Sequence, residues 1–214
     1  MLKSIKQKIL KDKKVDYGYY GSKTIFIKRW LWWKRLELAK SLFLKHSSKI
    51  NTNTILDFGA EFGFLSADLS KKFKKVFLVE INEKTLAKGI YIHSKYGNKN
   101  YFPVINKKLI PLDFVNKIHE KIDLFIFLDV LEHIRKLDTF VKGLRKISSN
   151  NAYFIVSLPT ENIIYLTLTK FKKEKDHCNR YFEVEKALHD NNIIIVSKTN
   201  LLFLFNIYLL KIQR

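Results

Sequence analysis

Asp57, Gly59, Glu61 and Gly63 fall within one short segment, and Glu80 follows Asp57 by 23 positions. The surrounding chain, ILDFGAEFGFLSADLSKKFKKVFLVEIN (55–82), reads as a buried strand at 54–57, a glycine turn, a helix, and a second apolar strand ending on Glu80. A strand, a turn tight enough to need Gly59 and Gly63, and a helix opening beneath it form a pocket for a ligand. An acid at the end of the next strand can accept hydrogen bonds from both hydroxyls of a ribose. The spacing therefore predicts a nucleoside-type cofactor. It disfavours a dinucleotide, whose G-x-G-x-x-G turn has glycine where this chain has Glu61. Asp57 and Glu61 would repel a pyrophosphate, and the same acids favour a ligand that carries positive charge.

The elements that must position these residues alternate along the chain. Apolar runs predict strands at 54–57, 75–80, 101–105, 122–128 and 152–157, and helical patterns fall at 62–72, 83–95, 134–148 and 182–190. Such alternation marks a parallel sheet with helices on both faces. The end differs: Ile193–Lys198 and Phe203–Ile212 are apolar runs with a short turn between them, which suits an antiparallel pair at the sheet edge. Residues 1–50 read as an N-terminal helical extension and 51–214 as the cofactor-binding domain. The extension has a Lys-rich piece with Leu2, Ile5 and Ile9 on one side, a Tyr/Gly turn at 17–22, and an amphipathic helix at about Thr24–His46. Trp30, Trp32 and Trp33 in that helix cannot share one face, so some rings must enter the core and at least one must be exposed or cover the cofactor mouth.

At 214 residues and 47% hydrophobic content, the chain can bury a full core without staples. The single Cys178 excludes an internal disulfide, leaves no disulfide partner, and suits a reducing compartment. The N-terminus has no apolar signal core, and no apolar run nears the roughly 20 residues that span a bilayer. A cytoplasmic location follows, with peripheral attachment to an anionic membrane surface as a variant. The formal net charge of +20 would attract phosphate-rich partners. Only six of the 40 basic residues are Arg, however, and the lysines are spread along the whole chain, which reads as compositional habit more than as a binding groove.

Segment 57–63 resembles motif I of the class I S-adenosylmethionine-dependent methyltransferases, D/E-x-G-x-G-x-G. The rest follows that family's plan in order. FLVEIN (77–82) resembles its second-strand acid motif. DLFIFLDVLEHIRKLDTFVKGLRKI (123–147) resembles its fourth strand and following helix, with the Leu131-Glu132-His133 triplet of a type 11/12-like, L-E-H subgroup. NAYFIVSLPTEN (151–162) and DHCNRYFEVEKAL (176–188) resemble its fifth strand and the segment before its last helix. The resemblance covers about residues 50–212. It implies a Rossmann-like α/β fold with a mostly parallel seven-stranded sheet and an antiparallel C-terminal strand pair. It implies S-adenosyl-L-methionine as cofactor, whose sulfonium and ammonium would suit the acids of the turn. By position, Asp57, Gly59, Ala60 and Gly63 would wrap its methionine portion. Glu80 would hold the ribose, Ile81 would pack on adenine, and Asn106 would stand in for the acid that often accepts from the adenine amino group. Leu128 and Asp129 would form the floor near the sulfonium. Two departures stand out: Glu61 in place of a glycine, and the absence of a glycine before the fifth strand, where 148–151 reads Ser-Ser-Asn-Asn.

Methyl transfer needs a positioned acceptor and, for a hydroxyl, a base. His133, after the fourth strand, and His177, on the segment expected over the same rim, are the candidate catalytic residues. Asp129, Glu132, His133 and His177 together resemble the E-x-x-E-H…H metal set of small-RNA 2′-O-methyltransferases. L-E-H also occurs in relatives without a metal, and no metal ligand is assigned on the sequence. Ile163–Lys173 is expected to lie over the acceptor. The expected function is methyl transfer to a small-molecule acceptor, including a lipid- or glycan-linked hydroxyl or carboxyl. An RNA 2′-O-methyltransferase is the weaker alternative, and a non-catalytic cofactor-binding scaffold is the alternative from another class.

Overall fold

A computed structural model describes residues 2–12, 26–106, 114–162 and 177–213. The strands are β1 (Thr54–Phe58), β2 (Lys75–Glu80), β3 (Tyr101–Ile105), β4 (Ile122–Leu128), β5 (Ser148–Pro159), β6 (Ile193–Leu201) and β7 (Phe205–Ile212). They form one sheet in the order β3-β2-β1-β4-β5-β7-β6. β7 runs antiparallel to both β5 and β6, and the pairs from β3 across to β5 are parallel. The described helices are α1 (Leu2–Lys11), α2 (Phe26–His46), α3 (Phe64–Leu69), α4 (Glu83–Tyr96), α5 (Leu137–Ile147) and α6 (Tyr181–Asp190).

Alternation along each strand builds two cores. Ile55, Val76, Leu78, Leu124 and Ile126 face α2, α3 and α4, where Trp33, Leu36, Leu65, Leu86 and Ile92 pack on them. Their neighbours Leu56, Phe77, Val79, Phe125 and Phe127 face the other way and meet Phe140, Val141, Leu144, Val184 and Leu188 from α5 and α6. A sheet covered on both faces needs strands apolar throughout, which is why β1 is buried at all five positions. The strand order reverses between β1 and β4, and ligands of open α/β sheets bind in the crevice outside the strand ends at such a point.

The tryptophans of α2 separate as helical geometry requires. Trp33 is fully buried and stacks on Phe64, Trp32 is half-buried edge-on to Phe205, and Trp30 stays 39% exposed. Lys40 of α2 also pairs with the buried Asp68 of α3 at 2.6 Å. Two departures of the element boundaries from the sequence reading bear on the site and the sheet. Helix α3 is short and passes into a 3₁₀ turn at Ser70–Lys72. The expected turn at 148–151 is strand: β5 starts at Ser148, whose hydroxyl donates to the Leu144 carbonyl at 2.7 Å and closes the end of α5 without a glycine. The Tyr/Gly turn at 17–22 and the segment 163–173 lie outside the described residues, as do the side chains of Leu2, Ile5 and Ile9. Among the described residues no helix is long and apolar enough to cross a membrane.

Candidate functional site

The turn after β1 is strapped to β2 by its backbone. The amides of Gly59 and Ala60 both donate to the Val79 carbonyl, at 2.9 and 3.2 Å, and the Gly63 amide donates to Ala60 at 2.6 Å. Gly59 has φ of +67°, and a Cβ there would come within 2.6 Å of Val130 Cγ2. Glu61 takes a left-handed φ of +47°, in the position where the sequence motif expects glycine. The backbone has kept the glycine conformation at a cost of roughly 1–2 kcal/mol.

Glu80 holds this turn to the end of β2. Its Oε2 accepts from the Glu61 amide at 3.0 Å, and its Oε1 accepts from the amides of Ile81 and Asn82 at 2.7 and 3.2 Å. Asn82 then caps α4, with Oδ1 accepting from Lys84 and Thr85 amides. A carboxylate offers about four lone-pair positions, and three are used here. The remaining one, on Oε2, is available to a hydroxyl, and a second hydroxyl would displace the Glu61 amide.

Beneath the turn lies a buried chain that sequence reasoning missed. Ser66 donates to Asp57 Oδ2 at 2.5 Å, and His93 Nε2 lies 3.1 Å from the same Ser66 oxygen. Ser66 has one proton and directs it at the carboxylate, so His93 is the donor to Ser66 and carries its proton on Nε2. Burial pushes the Asp57 carboxyl up to about 7; the Ser66 hydrogen bond opposes this and the nearby Glu80 charge adds to it. Burial pushes the His93 imidazole down to about 4, against a hydrogen bond to the Gly63 carbonyl. His93 shares the buried face of α4 with Leu86, Gly89 and Tyr96, and that helical spacing was the readable signal.

Arg35 was also missed. It reaches from α2, only 3% exposed, and forms an ion pair with Asp129 while lying over the Trp32 and Phe205 rings. Asp129 has φ of +57°, and its Oδ1 accepts from Ser157 at 2.6 Å. Arg35, Leu36, Asp57, Ala60, Glu61 and Leu128 line a narrow recess over the turn. Burial raises the Glu61 carboxyl, with Arg35 opposing.

A second, larger cavity of about 490 Å³ opens beside Glu80. Ile81, Asn106, Asp129 and Val130 line it at the strand ends, and His133, Arg135 and Cys178 continue it outward. Ile81 is 53% exposed and Asn106 is buried, so one offers an apolar face and the other a polar group. The 3₁₀ turn Leu131–His133 carries His133 to this wall. The amides of Cys178 and Asn179 donate to the Glu132 carbonyl at 2.7 and 3.0 Å, which brings the His177 segment onto the same rim. The rings of His133 and His177 are 4.6 Å apart between centroids. Glu132, buried, joins them: one donor atom from each of the three lies within 4.8 Å of the others. Asp129, the fourth member of the sequence quartet, is not in that group, because Arg35 and Ser157 hold its carboxylate.

No protein-family model matches the chain, and no curated protein matches it by sequence. Solved structures do. Magnesium protoporphyrin IX methyltransferase from Synechocystis, with S-adenosylhomocysteine bound, is 19% identical, with 98% of this chain and 94% of that one covered, at a TM-score of 0.66. The N-methyltransferase NodS from Bradyrhizobium japonicum, in complex with S-adenosylhomocysteine, is 12% identical over 98% and 99% of the two chains, at 0.68. An S-adenosylmethionine-dependent methyltransferase from Clostridium acetobutylicum is 15% identical over 99% and 98%, at 0.65. The fold is thus the Rossmann-like fold of class I methyltransferases, as the order of motifs implied.

Proposed function

We propose that this chain binds S-adenosyl-L-methionine and transfers its methyl group to a small-molecule acceptor. One observation carries the reading: an acid-lined recess at the strand switch point lies beside a larger cavity, with Gly59 in the wall of both, and His133 lines that cavity. The donor set fits the cofactor. Asp57 and Glu61 suit its ammonium and sulfonium, and Arg35, which lines the same recess, would meet its carboxylate. Glu80 has an Oε2 position for the ribose, and Ile81 and Asn106 flank the place for adenine. When bound, the cofactor supplies an activated methyl group. The chain then orients the acceptor along the cavity, excludes water with Phe58, Val79, Val130 and Ile134, and takes the acceptor proton on His133. One neighbour is named for a small-molecule acceptor, magnesium protoporphyrin IX. The apolar lining with Arg135 at the rim suits a greasy, anionic acceptor, including one at a membrane surface.

Calorimetry with S-adenosylhomocysteine, followed by transfer of labelled methyl to lipid, glycan and RNA pools, tests this. Binding with label in lipid or glycan supports the proposal. Label in RNA, with a steep loss of affinity in salt, replaces it with the RNA reading. Binding without any transfer supports a scaffold, and absence of binding ends the proposal.

A further inference from the structure

We propose that Glu132, His133 and His177 form a binding site for a divalent transition-metal ion at the cavity rim. Three residues from two chain segments converge there, with one donor atom each within 4.8 Å of the others. Zinc–ligand bonds of about 2.0–2.2 Å place tetrahedral ligands about 3.4 Å apart, so small side-chain rotations complete the site. The set is two imidazoles and one carboxylate. That composition selects zinc, manganese, cobalt or ferrous iron over magnesium, which prefers oxygen ligands.

Glu161 is the second observation. Its Oε1 is paired with His177 Nδ1, and its backbone holds a left-handed φ of +49° at that point. A carboxylate on one imidazole nitrogen fixes the tautomer and turns the other nitrogen outward as a strong ligand, which is how metal-bound histidines are held. Glu161 is therefore a positioning residue, and Nε2 is the ligating atom of His177. Two carboxylates, Glu132 and Glu161, balance a doubly charged ion. Three protein ligands leave coordination positions open toward the cavity that His133 lines. A hydroxyl of the acceptor bound there would be polarised and lose its proton to water, so the bound ion would take over from His133 the activation of the acceptor. That use rests on the methyltransferase reading, whereas the site itself does not.

The test is equilibrium dialysis of the chelator-stripped full chain against Zn²⁺, Mn²⁺, Co²⁺ or Mg²⁺, read by elemental analysis. One transition-metal ion per chain is expected, with Mg²⁺ not retained. His177→Ala and His133→Ala should each weaken uptake at least 10-fold, and Glu161→Gln about 10- to 100-fold. Cys178→Ser should retain the ion, since the thiol is outside the set. Circular dichroism confirms that each variant folds. The proposal is overturned if the chain takes up no ion, if His177→Ala binds as well as the parent, or if Cys178→Ser abolishes uptake. Calorimetry with S-adenosylhomocysteine on the same samples separates the two readings. Metal uptake without cofactor binding sinks the methyltransferase reading alone, and cofactor binding without uptake sinks the metal site alone.

Discussion

Cofactor affinity should depend on pH through Asp57, and the size of the effect follows from its surroundings. Asp57 is buried beneath the turn, and its carboxyl is raised from 3.8 to about 7. A ligand cation in the recess binds the ionised form, so below pH 7 each binding event must first remove a proton. With a midpoint near 7, the ionised fraction falls by about 25-fold between pH 7.5 and 5.5, and the affinity for S-adenosylhomocysteine should fall by about the same factor. Asp57→Asn keeps a carbonyl for Ser66 but has no charge. It should bind more weakly at pH 7.5, by about 1.5–3 kcal/mol for a lost charge-assisted hydrogen bond, and should lose most of the slope. Isothermal titration across pH 5.5–7.5 measures both quantities. A parent protein with flat affinity, or an Asp57→Asn variant with the parent's slope, would refute the reasoning.

Three further perturbations test neighbouring parts of the crevice. His93 has its imidazole depressed from 6.5 to about 4, so its stabilising contribution is full above pH 6.5 and is lost as pH falls toward 4; Asp57 has the opposite sign, full below pH 3.8 and lost as pH rises toward 7. The two offset one another between pH 4 and 6.5, so His93→Gln should make stability fall as pH rises there, by on the order of 2 kcal/mol relative to the parent in urea titrations. Arg35→Met leaves Asp129, partly buried beside Ser157, without its cation and should cost about 1–3 kcal/mol, largely recovered in the Arg35→Met, Asp129→Asn double variant; denaturation that shows no recovery would break the pairing argument. Glu61→Gly removes left-handed strain but loosens the unfolded chain, so the melting temperature should change by the equivalent of less than about 1 kcal/mol, and a larger loss would mean that the Glu61 carboxylate stabilises the apo fold.

The fold was legible because its central strands are mostly apolar and its helices are not. β1, β2 and β4 read directly as runs of Ile, Leu, Val and Phe, and the glycine turn between β1 and α3 announced the switch point. The residues at the strand ends were legible for the same reason: Glu80 ends β2, Ile81 and Asn106 each follow a strand, and strand ends line the crevice. The residues that come from helices were not. Arg35 looked like one of many cations in a basic amphipathic helix, and only the tertiary placement of α2 against β7 turns it inward. His93 and Ser66 meet Asp57 across distances of 36 and 9 residues, and sequence spacing has no period that links them. His133 and His177 were grouped with Asp129 and Glu132 by resemblance alone. The convergence of the two histidines with Glu132 depends on the Cys178 and Asn179 amides finding the Glu132 carbonyl, which no local pattern encodes.

The electrostatics of the crevice also decide between ligand classes. In a chain with twice as many cations as acids, Asp57, Glu61, Glu80 and Asp129 gather at one set of strand ends, and Arg35 answers Asp129. Burial raises both Asp57 and Glu61, so the crevice without ligand holds protons that water-exposed acids would have lost. A sulfonium and an ammonium entering there draw those protons off, and binding at pH 6.5 should release them to buffer. A pyrophosphate would act in the opposite sense, raising both groups further and taking protons up. Calorimetric enthalpies in buffers of different ionisation heat report that sign directly. Net release of a fraction of a proton on binding S-adenosylmethionine is expected, with a smaller release for S-adenosylhomocysteine, which lacks the sulfonium charge, and net uptake would mean that the acids do not face the charged end of the ligand.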